Sequence, residues 1–92
     1  MRRLPRRDKL KIYGDLLTIL YGEAKTEKVV LTRVQLKTNV PFDRLKVYLT
    51  ELTELGLIIE EPTLRLTEKG KQYIKEYQNV LDFMKRMGLT YS

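Results

Sequence analysis

The chain has 92 residues with no cysteine and no histidine, which excludes disulfides, the common zinc sites, and Ser-His or Cys-His catalysis. Lys and Arg outnumber Asp and Glu by 18 to 12, for a net charge of +6, and no apolar run nears the roughly 20 residues that span a bilayer. The expectation is one small soluble, cytoplasmic domain without secretion signal, catalytic set, metal or other cofactor, whose basic surface suits a polyanion.

The excess charge is uneven. Arg2, Arg3, Arg6, Arg7 and Lys9 stand against Asp8 alone, and Lys28, Arg33, Lys37, Arg44 and Lys46 against Asp43. Glu51, Glu54, Glu60 and Glu61 then follow with no basic residue among them. Residues 1–7 read as a flexible basic arm, because Pro5 disfavours helix in the residue before it. Asp8 is the expected cap of a first helix from about Lys9 to Glu23. Tyr13, Leu16, Leu17, Leu20 and Ala24 recur there at helical spacing, with Ile12 and Ile19 widening the apolar face. Gly22 and Lys25-Thr26-Glu27 end that helix. Lys28-Val29-Val30-Leu31 is short and β-branched, which suits a lone strand.

Thr32 with Gln35 predicts a capping box, and Leu31 with Leu36 the accompanying hydrophobic staple. Asn39 tolerates the left-handed conformation that closes a helix, and Pro41 fits the first turn of the next one. From Phe42 to Leu55 one stripe is apolar: Leu45, Tyr48, Leu49, Leu52 and Leu55. At about 100° per residue the opposite face carries Asp43, Lys46, Val47 and Thr50, with Phe42 and Arg44 at its leading end. Gly56 supplies a left-handed stop, and Leu57 is expected to fold back on Leu52. Leu57 to Glu60, a turn at Glu61-Pro62-Thr63, and Leu64 to Leu66 predict a short hairpin. Thr67 caps a last helix running to about Met87, on which Tyr73, Tyr77, Val80, Met84 and Met87 recur at alternating spacings of four and three, with Ile74, Leu81 and Phe83 broadening the stripe.

Two helices separated by a short break, followed at once by a hairpin, give a mainly α fold with a small β-wing. The expected division is an arm at 1–7, a winged helix-turn-helix body at 8–66 and a C-terminal dimerisation helix and tail at 67–92. In a helix-turn-helix the second helix enters the major groove and its N-terminal residues meet base edges. That places Phe42, Asp43, Arg44, Lys46, Val47 and Thr50 at DNA. Arg44 and Lys46 suit guanine acceptors or phosphates, and Val47 a thymine methyl. Asp43 would repel phosphate unless it accepts from a cytosine amino group or pairs with a neighbouring cation. Thr32, Arg33, Lys37 and Thr38 sit where the preceding helix would cross the backbone, and the exposed N–H groups at its start favour phosphate. Arg2, Arg3, Arg6 and Arg7 suit an adjacent minor groove. The wing carries Glu60 and Glu61, leaving Arg65 as its single candidate contact. The apolar stripe of the last helix outruns the body that could cover it. Tyr73, Tyr77, Val80, Leu81, Phe83, Met84 and Met87 are therefore the expected homodimer interface.

Arg6-Arg7-Asp8-Lys9-Leu10, Thr32-Arg33-Val34, Phe42 to Leu49, Leu55-Gly56-Leu57-Ile58 and Leu66-Thr67-Glu68-Lys69-Gly70-Lys71 resemble archaeal winged helix-turn-helix proteins. The last two segments are also similar to MarR- and PadR-type repressors. The likeness covers residue 6 to about 77, and its Leu-Gly-Leu-Ile and Leu-Thr-Glu-Lys-Gly pieces mark fold more than function. It implies a small basic regulator or chromatin-associated protein, a homodimer held by its last helix, with double-stranded DNA as ligand. Pro41 departs from the serine cap of many relatives, and Lys25 to Leu31 is an insertion relative to the tightest. The absence of Cys, His and Trp with many charges also fits a thermophile. A winged-helix adaptor that binds protein is the rival reading, carried by the acidic band from Glu51 to Glu61 and the apolar end of the last helix. RNA binding ranks third, because no aromatic stacking platform is evident.

Overall fold

The computed structural model describes residues 5–26 and 28–89, with the side chains of 9–25 and 28–89. Its first helix, α1 (Pro5–Thr26), is longer at both ends than the expected span from Lys9 to Glu23. Proline is at home in the first turn of a helix, where its missing N–H costs nothing and its φ is already helical. Residues 5–7 of the expected arm are thus helical, Asp8 lies inside the helix instead of capping it, and Gly22 does not end it. Arg2 and Arg3 lie outside the described residues.

The lone strand expected at Lys28 to Leu31 does not form. Residues 28–30 are irregular, and α2 (Leu31–Thr38) begins a residue before the expected cap. The Val30 carbonyl accepts from the N–H groups of Arg33 and Val34 at 3.0 and 3.1 Å. Val30 is therefore the cap residue and has no capping side chain, and Thr32 falls within the first turn. The predicted capping box and the Leu31–Leu36 staple are both corrected by this shift, and Leu36 is 82% exposed. Starting the helix at Leu31 turns Val34 fully inward while Val29 packs at the edge of the core.

Asn39 closes α2 at φ 58°, ψ 36°. Pro41 occupies the cap position of α3 (Phe42–Glu54), one residue before the turn in which it was expected. The inward stripe of α3 is Leu45, Tyr48, Leu49 and Leu52. Burying each leucine stabilises the fold by roughly 1.5–3 kcal/mol relative to leaving it in water. Leu55, expected on that stripe, is half-exposed at the helix end. Gly56 at φ 79° then lets its own N–H reach the Thr53 carbonyl (3.0 Å) and the Leu57 N–H reach that of Leu52 (2.9 Å). Leu57 returns to the core beside Leu52, the predicted ending.

Strands β1 (Ile58–Ile59) and β2 (Arg65–Leu66) are shorter than the predicted hairpin arms. They pair antiparallel, Ile58 opposite Leu66 and Ile59 opposite Arg65. The period of two sends Ile58 and Leu66 inward and Ile59 and Arg65 outward. Helix α4 (Glu68–Arg86) starts where predicted, with the Thr67 hydroxyl accepting from the Gly70 N–H at 3.0 Å. The same hydroxyl donates to the Gly56 carbonyl (2.7 Å), and Lys69 Nζ donates to that of Leu55 (2.7 Å). The Leu-Thr-Glu-Lys-Gly motif thus joins the start of α4 to the end of α3.

The first half of α4 lies along α1. Tyr73 donates its hydroxyl to the Leu10 carbonyl (3.0 Å), and Tyr77 donates to Asp15 Oδ1 (3.1 Å). Beyond Tyr77 the helix continues with Val80, Phe83 and Met87 exposed and Leu81 and Met84 half-buried. Gly88 at φ 78° repeats the glycine ending, with Leu89 N–H on the Met84 carbonyl at 2.7 Å. Among the described residues, no helix is long and apolar enough to cross a membrane.

Candidate nucleic-acid interface

Because Leu45, Tyr48, Leu49 and Leu52 point inward, the other side of α3 has to face solvent, and it does. Phe42, Asp43, Arg44, Lys46, Val47 and Thr50 are all exposed, Val47 by 51%. Lys46 Nζ lies 5.7 Å from the centre of the Phe42 ring, one turn earlier, which keeps the ammonium on this face. Thr50 donates its hydroxyl to the Lys46 carbonyl at 3.1 Å and retains acceptor capacity. Asp43 sits in the first turn, where the helix dipole stabilises a carboxylate. The structure therefore brings six sequence-predicted residues together on one open helical face.

The rest of the predicted set is arranged differently. Arg33 Nε binds Glu23 Oε1 at 2.7 Å and Lys37 Nζ binds Glu23 Oε2 at 2.6 Å. These cations are anchored to α1 and are not poised solely for phosphate. The Glu23 side chain is only 6% exposed, and its hydrogen bonds from Lys37, then from Arg33, hold its carboxyl below the usual value near 4.5. Pulling either cation away would leave a buried carboxylate short of a partner, a costly state. Thr38 donates its hydroxyl to the Gln35 carbonyl at 3.2 Å and is half-buried. Thr32 stays exposed, and Arg65 stands on the outer face of the wing with one guanidinium N–H toward the Thr63 carbonyl at 3.3 Å. Arg6 and Arg7 lie on α1, and their side chains fall outside the described set.

Sequence reasoning missed Glu23. It falls three residues after Leu20 and seven after Leu16, on the apolar stripe of α1, where Ala24 was expected and is instead exposed. A carboxylate on such a stripe is a signal that cations must come from elsewhere in the fold. A second tie was also missed. Lys9 Nζ binds Glu51 Oε1 at 3.0 Å, and the Tyr13 hydroxyl donates to the same oxygen. The bond from Tyr13, then that from Lys9, lowers the Glu51 carboxyl, while the Glu51 bond raises Lys9. Glu51 thereby fixes the rotation of α3 against α1.

The predicted dimer residues divide in two. Tyr77 is 3% exposed, covered by α1 of its own chain, and Tyr73 is half-buried with its hydroxyl engaged there. Tyr77 is thus removed from the expected interface by packing within the chain, and Tyr73 is largely taken up in the same way. Val80, Phe83 and Met87 remain on the surface, with Leu81 and Met84 beside them.

A short helix, a turn through a left-handed Asn39, a second helix with an open outer face and an adjoining two-stranded wing define a winged helix-turn-helix domain. The family model described as winged helix-turn-helix matches residues 6–85, and the chain belongs to that family. Comparison with curated proteins and with solved structures found no match.

Proposed function

We propose that the protein is a DNA-binding regulator that works as a homodimer, inserting α3 into the major groove of duplex DNA. One observation carries this reading: the face of α3 that would enter the groove is open along its length, while its opposite face is sealed in the core. Arg44 and Lys46 supply cations for guanine or phosphate, Val47 and Phe42 apolar contact for thymine methyls, and Asp43 an acceptor for a cytosine amino group. Contacts from Thr32, the arm residues and Arg65 would set position without reading sequence. Arg33 and Lys37 join them only with the N–H capacity that Glu23 leaves. The resemblance to archaeal regulators supports a transcriptional or chromatin-associated role at the nucleoid.

Salt titration of binding to duplex DNA tests the proposal. With on the order of 6–8 phosphates neutralised per dimer, log affinity against log salt should fall with a slope of about −5 to −7. A slope shallower than about −2 overturns the reading. Replacing both Arg44 and Lys46 by alanine should weaken binding by about 10- to 100-fold, in line with roughly 1–3 kcal/mol for a good base contact.

The adaptor reading retains one observation: Glu54, Glu60 and Glu61 form an exposed acidic surface at the wing, next to the half-exposed Ile59. It requires that partner binding survive the Arg44 and Lys46 replacements and that no salt-dependent DNA affinity exist.

A further inference from the structure

We infer that the cleft bounded by α1, the α2–α3 turn and the middle of α4 is a binding site for a small, uncharged, mainly apolar molecule with one hydrogen-bonding group. The cleft has a volume of about 440 Å³, within the range of roughly 300–1,000 Å³ usual for small-molecule sites. Its walls are apolar and come from three places in the chain: Ile12, Leu16 and Ile19 on α1, Val40 in the turn, and Leu81 on α4.

Tyr48, from the inner face of α3, also lines the cleft. It is 7% exposed, with its ring edge-on to Tyr13 at 6.3 Å. Its hydroxyl makes no hydrogen bond to any described residue, yet is not sealed from solvent. With no partner among the described residues, this nearly buried phenol is left to water, which a ligand atom in the cleft would replace. Most of the other polar groups on the walls are already engaged, the exposed Gln78 amide being the exception. Asp15 holds Lys11 and Tyr77, Lys37 binds Glu23, and the hydroxyls of Thr18 and Thr38 donate to backbone carbonyls. Since Asp15 lines the cleft and the Lys37 ammonium there is held by Glu23, the site favours a neutral molecule over an anion.

A second copy of the chain does not account for the cleft. At about 100° per residue, Val80, Phe83 and Met87 lie on a face of α4 turned roughly 100° or more from Leu81. A partner helix centred on that face would meet Val80, Phe83 and Met87, not the cleft wall at Leu81.

N-phenyl-1-naphthylamine, a neutral apolar fluorophore with one N–H, serves as the probe in a fluorescence titration of the full chain. Saturable binding at one probe per chain is expected. Leu81→Trp, which fills the cleft, should weaken it at least tenfold. Tyr48→Phe keeps the ring and removes only the hydroxyl, so it should weaken binding about three- to tenfold with unchanged circular dichroism. Phe83→Ser with Met87→Ser should leave it unchanged. Absence of saturable binding, wild-type affinity in Tyr48→Phe, or loss in the Phe83/Met87 variant overturns the inference, the last by assigning the probe to the exposed face of α4. None of these readouts involves DNA, so their failure is distinct from failure of the DNA-binding proposal.

Discussion

Three of the five glycines lie inside helices, at positions 14, 22 and 70, and the space beside each gives the same substitution a different sign. A Cβ on Gly70 would stand 2.1 Å from the Leu57 carbonyl oxygen, a backbone atom held in the joint between α3 and α4. A Cβ on Gly14 would stand 2.4 Å from the Tyr77 ring, which α1 must accommodate for α4 to pack against it. Gly22 has nothing within 4 Å. Gly70→Ala should therefore destabilise by about 3 kcal/mol, since backbone has to move, and Gly14→Ala by about 1–3 kcal/mol. Gly22→Ala should stabilise by about 0.5–1 kcal/mol, because alanine is the better helix former and nothing opposes it. Urea unfolding of the three variants checks all three. Helix propensity alone predicts the same sign for each, and that result would show the close approaches to be unimportant.

At the scale of elements, two carboxylates on different helices tie the recognition unit to α1. Glu23 gathers Arg33 and Lys37 of α2, and Glu51 of α3 takes Lys9 and Tyr13 of α1. Both carboxyls ionise more readily in the folded chain than at the ordinary value near 4.5. The unfolded chain consequently binds protons more easily, so this stabilisation is present above about pH 4.5 and is lost as pH falls through the lowered folded values. Melting temperature should drop as pH falls below about 4.5, and Glu23→Gln should be less stable at neutral pH but flatter in that acid range. An equally steep acid limb in Glu23→Gln would remove Glu23 from the account. At the alkaline end, burial and the Glu51 bond raise Tyr13, and the Glu51 bond raises Lys9. The tie to Glu51 therefore weakens as pH rises through those raised values.

These ties also show where sequence reading stops. The inward stripe of α3, its Gly56 ending and the Thr67 cap were legible because each is set by residues within a few positions of one another. The open face of the candidate site was legible for the same reason, being the complement of that stripe. The start of α2 was not: Thr32 and Gln35 make a sound local cap, but the Val30 carbonyl takes the first helical bonds instead, and Val34 is buried in the helix that results. Arg33 and Lys37 read as free cations because Glu23, 10 and 14 residues away, gave no local sign of reaching them. The reach of α1 over Tyr73 and Tyr77 was hidden likewise, since Gly14 looks like a helix weakness until Tyr77 is seen lying against it.

For the whole molecule, the proposed homodimer would make the end of α4 decide how many recognition helices act together. Phe83 and Met87 are 50% and 57% exposed, so replacing them disturbs little of the folded chain. Two exposed apolar residues are ordinary, but with Val80 they follow one side of a helix that has already passed its own core. A second copy covering that side would hold two α3 helices for half-sites about one DNA turn apart, or a multiple of it. Phe83→Glu with Met87→Glu should convert a dimer to a monomer in sedimentation, leaving circular dichroism unchanged and the melting temperature independent of protein concentration. Because the monomer neutralises half as many phosphates, the salt slope should fall to about half of the dimer's, near −3. Affinity should fall with it, even for a single half-site in long DNA. A variant that sediments as the wild type does, with its slope intact, would place any dimer contact elsewhere than α4.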